Sequence, residues 1–416
     1  MIKGEELWHT ANWFVSPWNY IDEITKVFTP PKTLVIHDVT LRDGEQQAGI
    51  MFTKEDKIRI AEKLAELGVQ RIEAGWPAAS PEDEAAVKGI VKRNLGPQIF
   101  CATRCMADDL RRAADCGVHG VITSVPGSKL YLELGLGWSF EKATDVAIKG
   151  TKLANELGLY VLFSLVDGTR ADMGQYLSMI EQIAKEGHID SLCLMDTKGC
   201  LTPEAVAYAI KRIKKLVRKP LEAHFHNDLG LGVANTVKAV LSGVEVIHTT
   251  VNGLGERAGN TPMEETVMAL LTLYGINTGI KYEKLRELAK LVEEISGVPM
   301  VPNRSIVGDR LSWIESGMPV EHYRKIAEKV NVDYAKTGMF TIHPAFVGNK
   351  EPEVVLGKKS GRGNILVWAE KFGIELSQEE LTDVLMAVKA LAYKKRGLLN
   401  EAEFKKIVEE VKATVK

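Results

Sequence analysis

Short runs of β-branched or aromatic residues alternate with longer stretches of helical period, and this pair recurs eight times along the chain. Strict strand–helix alternation is typical of a parallel sheet joined by crossover helices. Eight units within about 220 residues favour closure into a (β/α)₈ TIM barrel, of the α/β class, over an open doubly wound sheet. No GxGxxG follows the first strand, so dinucleotide binding has no support. The predicted strands are Leu34–Asp38, Val69–Ala74, Gln98–Thr103, Val118–Val125, Tyr160–Leu165, Ser191–Asp196, Leu221–His226 and Val246–Val251.

A length of 416 residues leaves room for a smaller domain beyond the barrel. Residues 281–300 have a helical pattern, whereas 301–350 look irregular, with several Pro and Gly. SQEE at 377–380 and NEAE at 400–403 are typical helix starts. We therefore predict an N-terminal arm at 1–33, a catalytic barrel at 34–280, a linker or subdomain at 281–350 and a mainly helical C-terminal subdomain at 351–416.

The N-terminal segment carries three of the seven tryptophans, namely Trp8, Trp13 and Trp18. Buried aromatic side chains dominate the energetics of interfaces, so we expect this arm to dock on the body of the protein or on a second subunit. The alternative is a flap over the active site.

Composition and charge narrow the class of partners. A formal net charge of −2 gives no general attraction to nucleic acid or to an anionic membrane. No apolar run approaches the ~20 residues of a membrane span, and the N-terminus lacks the features of a secretion signal. Five cysteines without a CxxC pair are typical of reduced, mostly buried thiols. We expect a cytoplasmic protein with no nucleic-acid or membrane partner.

The motif AHFHND at 223–228 is the strongest chemical signal. His224 and His226 are two residues apart on a predicted strand, so both point to one face at the carboxyl end of strand seven. Two adjacent imidazoles suit a divalent metal ion. The alternative for an isolated HxH is a pair of structural histidines.

Two further motifs follow the strands on either side. HDVTLRDGEQ at 37–46 places Asp43 after strand one, and NGLGERAGN at 252–260 places Asn260 after strand eight. Alone, the first motif is equally typical of a solvated charged loop, and the second of an ordinary βα loop. In a closed barrel, however, strand eight lies between strands seven and one, so all three motifs converge. The sequence thus predicts a mixed oxygen and nitrogen metal site of Asp43, His224, His226 and Asn260.

The chain resembles the DRE-TIM metallolyase superfamily, in particular its acyl-CoA-dependent branch of 2-isopropylmalate, citramalate and homocitrate synthases. The resemblance covers about residues 33–410. It implies a divalent metal ion (Mg, Mn or Zn), an acyl-CoA co-substrate such as acetyl-CoA, and a homodimer whose C-terminal segments cover the partner's barrel. The motifs that carry it are TLRDGEQ, EAGWPAASPED (73–83), DTKG (196–199), HFHNDLGLGVAN (224–235), NGLGERAGN, VPNRSIVG (301–308) and LGKKSGR (356–362).

The resemblance also implies roles for individual residues. Asp43, His224, His226 and Asn260 match the family's metal-binding residues, and Arg42 matches an arginine that stabilises the developing oxyanion. The implied reaction is attack of the acyl-CoA enolate on a metal-chelated 2-oxo acid, followed by thioester hydrolysis. The remaining matches are Thr197 for the 2-oxo acid's carboxylate, Gln46 for a further substrate contact, and Glu256 and Arg257 for the pair associated with the catalytic histidine and the CoA-side pocket.

Several positions depart from the family pattern. The family's HESGIH or HKAGIH region here is WIESGMPVEH (313–322), in which Ile314 and Pro319 replace the histidines, and Met339 falls near the usual tyrosine. His322 and His343 are the nearby candidate bases, each with a surface or structural role as the alternative.

Three departures affect the acceptor side. Val166 replaces a usual glutamate, although Asp167 and Arg170 remain as candidate substrate contacts. Met106 replaces a histidine typical of homocitrate synthases. Lys198 either pairs with an anionic acceptor or is a solvated loop lysine.

These observations predict a metal-dependent acyltransferase that condenses acetyl-CoA, or a close acyl-CoA, with a 2-oxo acid, and 2-isopropylmalate synthase is the nearest label. The alternatives are the same chemistry with another acceptor (citramalate, homocitrate or citrate synthase), a lyase related to hydroxymethylglutaryl-CoA lyase, and a non-catalytic homologue. The lyases use a cysteine loop, which is GERAGN here. Since the ~120-residue regulatory domain of feedback-inhibited synthases is not seen, we expect no leucine inhibition through such a domain.

Overall fold

Eight parallel strands close into a barrel in the computed structural model, which describes residues 6–414. The first strand pairs with both the second and the eighth, so the barrel has no free edge. The predicted TIM barrel is therefore confirmed. The strands are β1 (Val35–Asp38), β2 (Arg71–Glu73), β3 (Gln98–Arg104), β4 (Gly120–Pro126), β5 (Tyr160–Val166), β6 (Ser191–Asp196), β7 (Leu221–Phe225) and β8 (Val246–Thr249).

Helices connect successive strands and cover the outside of the barrel. Their starts follow local sequence signals: Thr53 and Asp56 form a capping box, and Pro81 and Pro203 occupy first-turn positions where no backbone N–H is needed. The helices up to residue 300 are α1 (Asp22–Thr25), α2 (Lys54–Leu67), α3 (Pro81–Arg93), α4 (Ala107–Asp115), α5 (Phe140–Glu156), α6 (Met173–Glu186), α7 (Pro203–Leu216), α8 (Gly232–Leu241), α9 (Met263–Tyr274) and α10 (Leu285–Ser296).

The described chain divides into two compact units, residues 17–300 and residues 6–16 with 301–414. The division lies beyond the boundary that we predicted near residue 281, because α10 packs on the barrel. Leu288 and Val292 of this helix are buried, and Asn252 donates a hydrogen bond of 2.8 Å to the Ala289 carbonyl. The helical pattern of 281–300 thus belongs to the first unit.

The second unit contains more helix than its sequence suggested. The prediction that 301–350 is irregular was wrong, because Gly317 and Pro319 lie in the first turn of a helix, where proline is tolerated. Ser377 and Glu380 form the predicted capping box, and Asn400 caps the last helix. The elements are β9 (Trp313–Ile314), α11 (Gly317–Lys329), α12 (Val332–Phe340), β10 (Glu353–Val354), α13 (Arg362–Lys371), α14 (Gln378–Lys395) and α15 (Glu401–Thr414).

The predicted N-terminal arm of residues 1–33 is divided between the two units. Trp13 is buried in the second unit, where its ring centroid lies 5.8 Å from that of Phe346. The Tyr20 hydroxyl donates instead to the Thr272 carbonyl of the first unit, at 2.6 Å. Trp18 is 78% exposed. Trp13 is therefore docked on the body, and docking of the exposed Trp18 on a second subunit stays a prediction. Residues 1–5 of the arm, like 415–416 of the C-terminal subdomain, lie outside the described residues.

Two other features concern the whole described chain. The five cysteines form no disulfide, and all except Cys200 are buried, which agrees with the expected reduced thiols. Within residues 6–414, every helix falls short of the length or the apolar character that crossing a membrane requires.

Candidate metal centre

Asp43, His224 and His226 meet at the carboxyl ends of β1 and β7. Oδ2 of Asp43 lies 3.1 Å from Nε2 of His224 and 3.6 Å from Nε2 of His226, and all three side chains are buried. Period-two alternation along β7 aims both imidazoles at the barrel interior. Their ligand atoms lie within 4.8 Å of one another, a spacing that can hold one ion.

Asn260 lies beside this triad because its backbone forms an antiparallel bridge with His226. Its Nδ2 donates to the Leu254 carbonyl at 3.1 Å, which fixes the amide. Its Oδ1 is buried and has no hydrogen-bond partner. An unsatisfied buried oxygen beside a carboxylate and two imidazoles is a donor set that fits a divalent cation.

The electrostatics keep these residues in the protonation states that metal binding requires. Burial alone would raise the pKa of Asp43, but Arg42 and His224 hold it well below its usual range. Burial lowers the pKa of His226 to about 4 and also lowers the pKa of His224. An ionised carboxylate and two neutral imidazoles therefore face one point.

Arg42 forms a buried ion pair that the sequence did not reveal. Its Nε lies 2.7 Å from Oε1 of Glu73, and its Nη1 donates to Oε1 of Gln46 at 3.1 Å. Burial raises the pKa of Glu73 to about 7, although Arg42 opposes the shift. The available signal for Glu73 was an acidic residue at the end of a buried strand, two residues before the glycine of EAGWP.

A cavity of about 260 Å³ opens beside the metal triad. Of the predicted catalytic and substrate-binding residues, Arg42, Gln46, Thr197 and Glu256 line it. Trp76 and Arg104 were missed, since a loop tryptophan and a strand-end arginine carry no signal alone. The lining residues are Arg42, Asp43, Gln46, Trp76, Ala102, Thr103, Arg104, Ile122, Ser124, Val166, Met195, Thr197, His224, His226 and Glu256.

Asp167 and Arg170 support Thr197 instead of lining the cavity. Asp167 is fully buried, with its carboxylate bound by the Ser128 hydroxyl at 2.6 Å and by Nε of Arg170 at 2.7 Å. Its backbone N–H donates to Oγ1 of Thr197 at 2.8 Å, which leaves the threonine's own proton available for a ligand. Lys198 lies over the Tyr131 ring, 5.7 Å from its centroid.

Arg257 joins the loops that follow β6, β7 and β8. Its Nε lies 2.8 Å from Oδ1 of Asp228, its Nη2 donates to the Thr197 carbonyl at 2.6 Å, and its Nη1 lies 3.1 Å from Oε2 of Glu256. The guanidinium therefore orients Glu256 at the cavity wall and does not face the cavity itself. The loop-closing role was not anticipated from the sequence.

A second buried cluster of His37, Glu222 and His248 also has metal-ligand spacing. Oε2 of Glu222 lies 2.9 Å from Nε2 of His248, and Oε1 lies 3.0 Å from Nη1 of Arg71. Ser191 also donates to this carboxylate. Because Arg71 already neutralises Glu222, this cluster carries its own counter-charge and forms a polar layer of the barrel core.

His322 and His343 belong to the second unit. His322 is exposed on α11, and Nε2 of His343 lies 3.3 Å from Oδ1 of Asp333. Within that unit His343 therefore has a carboxylate partner, and the catalytic roles of both histidines stay predictions.

Comparison with known proteins adds a family and several relatives. The sequence model of the HMGL-like family matches residues 33–292. A homocitrate synthase of Methanopyrus kandleri is 37% identical over 392 residues, which cover 94% of this chain and 96% of that protein. A 2-isopropylmalate synthase of Methanocaldococcus jannaschii is 36% identical over 385 residues, or 92% of this chain and 72% of that protein. The solved HMG-CoA lyase of Bacillus subtilis matches with a TM-score of 0.60 at 25% identity and covers 66% of this chain and 97% of that one.

Proposed function

The chain belongs to the HMGL-like family, and from this membership and its metal centre we propose that it condenses an acyl-CoA, acetyl-CoA first, with a 2-oxo acid. The match to this family confirms the resemblance to the DRE-TIM metallolyases that the sequence motifs indicated. The observation that carries the proposal is the buried Asp43, His224 and His226 triad, with the unsatisfied Oδ1 of Asn260, beside a cavity of about 260 Å³. Such a cavity can enclose a small acid, while the larger part of a CoA would extend outside it.

A divalent ion (Mg, Mn or Zn) held by these four residues would supply Lewis acidity toward the carboxylate and ketone oxygens of the 2-oxo acid. The protein's own groups complete the binding of that acid. The Thr197 hydroxyl donates a hydrogen bond to its carboxylate, and Gln46 and Arg42 line the same cavity. Arg42 offsets the negative charge that develops on the ketone oxygen as the new carbon–carbon bond forms.

A base must remove the proton from the acyl-CoA α-carbon. We retain His322 and His343 as the proposed bases and Glu256 as the cavity-wall carboxylate that assists them. Single alanine variants test the two histidines, because loss of a general base lowers kcat by about 10²–10⁴-fold. Alanine at the barrel histidine His188 is the matched control, and kcat unchanged in both His322→Ala and His343→Ala would remove this assignment.

The acceptor is proposed to resemble that of a 2-isopropylmalate synthase. Ile122, Val166 and Met195 give the cavity an apolar wall. Arg104 is paired through Nε and Nη2 with the buried Asp109, at 2.9 and 2.7 Å. This wall supports an acceptor with an uncharged side chain, and citramalate, homocitrate and citrate synthase chemistry are the alternatives.

The proposed reaction is tested by free-thiol release from acetyl-CoA with metal-loaded protein and a panel of 2-oxo acids. Metal-dependent release with one acceptor, abolished in His224→Ala, is the expected result. His188→Ala, at a half-buried histidine that lies 3.3 Å from Asp190, serves as the control and should leave the rate unchanged. No release with any acceptor, although the metal is bound, would contradict the synthase proposal.

A lyase is the second candidate, favoured by the structural similarity to an HMG-CoA lyase. It would cleave a 3-hydroxyacyl-CoA into an acyl-CoA and an oxo product without thioester hydrolysis. Incubation with such thioesters distinguishes the two reactions, because a lyase gives product but no free thiol.

The oligomeric state also remains a proposal. We propose a homodimer in which the partner's C-terminal segment covers the barrel. Light scattering on the purified protein should then give twice the chain mass of 45.9 kDa.

A further inference from the structure

Lys57 is a buried cation between two loops at the metal centre. It lies on α2 and is 1% exposed, with its Nζ 2.6 Å from Oε2 of Glu45. The same Nζ contacts Oδ1 of Asp83 at the start of α3. Glu45 lies in the loop after β1 that carries Asp43, whereas Asp83 follows the loop after β2. One ammonium group therefore ties both loops together.

We propose that Lys57 is a positioning residue that holds the Asp43 loop in the geometry required by the metal ion. This inference rests on the metal site of the proposed function and extends it to a residue that touches neither ion nor substrate.

The connection from Lys57 to Asp43 is short and has little freedom. Glu45 lies two residues after Asp43 within the 3₁₀ turn Gly44–Gln46. Its second oxygen, Oε1, accepts a hydrogen bond from the Phe52 N–H at 2.8 Å. Because both carboxylate oxygens of Glu45 are engaged, the turn is held on the side of α2.

The loop after β2 is held by the same ion pair. Gly75 lies between Glu73 and Trp76 at φ +154°, and a Cβ there would lie 3.3 Å from Nζ of Lys57 and 3.1 Å from Oδ1 of Asp83. The backbone at this glycine thus packs directly on the ion pair. Since Glu73 also pairs with Arg42, two separate ionic links join the loops after β1 and β2.

Removing the ammonium would leave two carboxylates close together with no cation between them. Breaking a buried pair is costly because the remaining charges lose their partner. The Glu45 turn would then move toward solvent, and Asp43 would move with it. Mutation of residues that orient a metal ligand typically lowers the metal affinity 10–100-fold.

Lys57→Met tests the inference, because methionine keeps much of the length of the side chain and removes the charge. The measurement is the Mn²⁺ dissociation constant of the full-length protein by calorimetry. We expect binding weakened about 10–100-fold. Lys63→Met is the matched control: Lys63 also lies on α2 and contacts two carboxylates, Glu66 and Glu287, at 2.7 Å, but its side chain is 32% exposed. This control should bind Mn²⁺ within about twofold of wild type.

A second control separates positioning from general destabilisation. Val87→Ala creates a cavity in α3 beside Gly75 without changing any charge. It should lower Tm but leave the Mn²⁺ dissociation constant unchanged. If Lys57→Met does not fold, Glu45→Gln keeps the Lys57–Asp83 pair and should weaken Mn²⁺ binding at least several-fold.

The outcomes are distinguishable. Wild-type binding in Lys57→Met, or in Glu45→Gln where the first variant does not fold, would overturn the inference alone. The inference would also be overturned if Val87→Ala weakened Mn²⁺ binding as much as Lys57→Met does. Failure of the wild-type protein to bind Mn²⁺, Mg²⁺ or Zn²⁺ would overturn the proposed function and this inference with it.

Discussion

Nε of Arg42 lies 2.7 Å from Oε1 of Glu73, so the carboxyl ends of β1 and β2 meet in a buried ion pair at the metal centre. The pair fixes the guanidinium from behind while its Nη1 reaches Gln46 and lies 3.7 Å from Oδ2 of Asp43. One arginine therefore connects the metal triad, the cavity wall and a carboxyl group whose pKa is about 7.

Replacing Glu73 by glutamine should change how stability depends on pH. The pKa of Glu73 is about 7 in the folded protein and near 4.5 when unperturbed, so the folded state holds more protons between these values. The free energy of unfolding contributed by this group therefore falls as pH rises through that window, by at most roughly 3 kcal/mol. Glutamine has no ionisable group, so the Glu73→Gln variant lacks this pH-dependent contribution to stability.

The stability of Glu73→Gln relative to wild type should consequently increase between pH 5 and pH 7. Urea denaturation of the metal-free proteins at four pH values measures this difference. Glu181→Gln, at an exposed position, is the control, and its difference in stability from wild type should be the same at every pH. A difference that is flat or falls with pH for Glu73→Gln would show that Glu73 titrates normally.

Arg42→Lys should lower kcat/KM about 10²–10³-fold, because lysine keeps the charge but cannot contact Glu73, Gln46 and the developing oxyanion together. Steady-state kinetics with the acceptor identified by the thiol assay measures the effect. Mn²⁺ binding should stay within a few-fold of wild type, since lysine keeps the positive charge beside Asp43. Arg59→Lys, on the exposed face of α2, should leave kcat/KM unchanged. A loss of kcat/KM in Arg59→Lys equal to that in Arg42→Lys would contradict the prediction.

The meeting of the four candidate metal ligands at one point could be predicted because it depends on two regular features. Period-two alternation aims His224 and His226 to one face, and closure of the barrel brings Asp43 and Asn260 to them. These arguments need strand order but no loop conformation.

The supporting residues could not be predicted, because loop geometry decides them. Asp167 adopts φ +58°, a left-handed conformation, and its carboxylate binds Ser128 and Arg170. The sequence suggested a substrate contact at this position. Glu73 was missed for a similar reason, since only the fold shows that its partner is Arg42 and not solvent.

Divalent metal should raise the melting temperature of the barrel unit. Binding to the folded state alone adds about 2.7 kcal/mol at a concentration of 100 Kd. For a unit of this size we expect a shift of several degrees, reversed by EDTA.

Asn260→Ala should reduce this metal-induced shift in melting temperature, because it removes the unsatisfied Oδ1. Differential scanning fluorimetry measures it, with Asn277→Ala on the surface as control, and an undiminished shift in Asn260→Ala would exclude Asn260 as a ligand.

Thr197→Val should raise KM for the 2-oxo acid about tenfold or more with a smaller change in kcat. Valine matches threonine in shape but removes the hydroxyl that accepts from the Asp167 N–H and donates toward the cavity. Loss of one such hydrogen bond to a charged carboxylate costs about 1.5–3 kcal/mol. Thr197→Ser keeps the hydroxyl and should recover most of the affinity. If serine and valine raise KM equally, the methyl group and not the hydroxyl determines binding, and Thr197 packs against the acceptor without donating to its carboxylate.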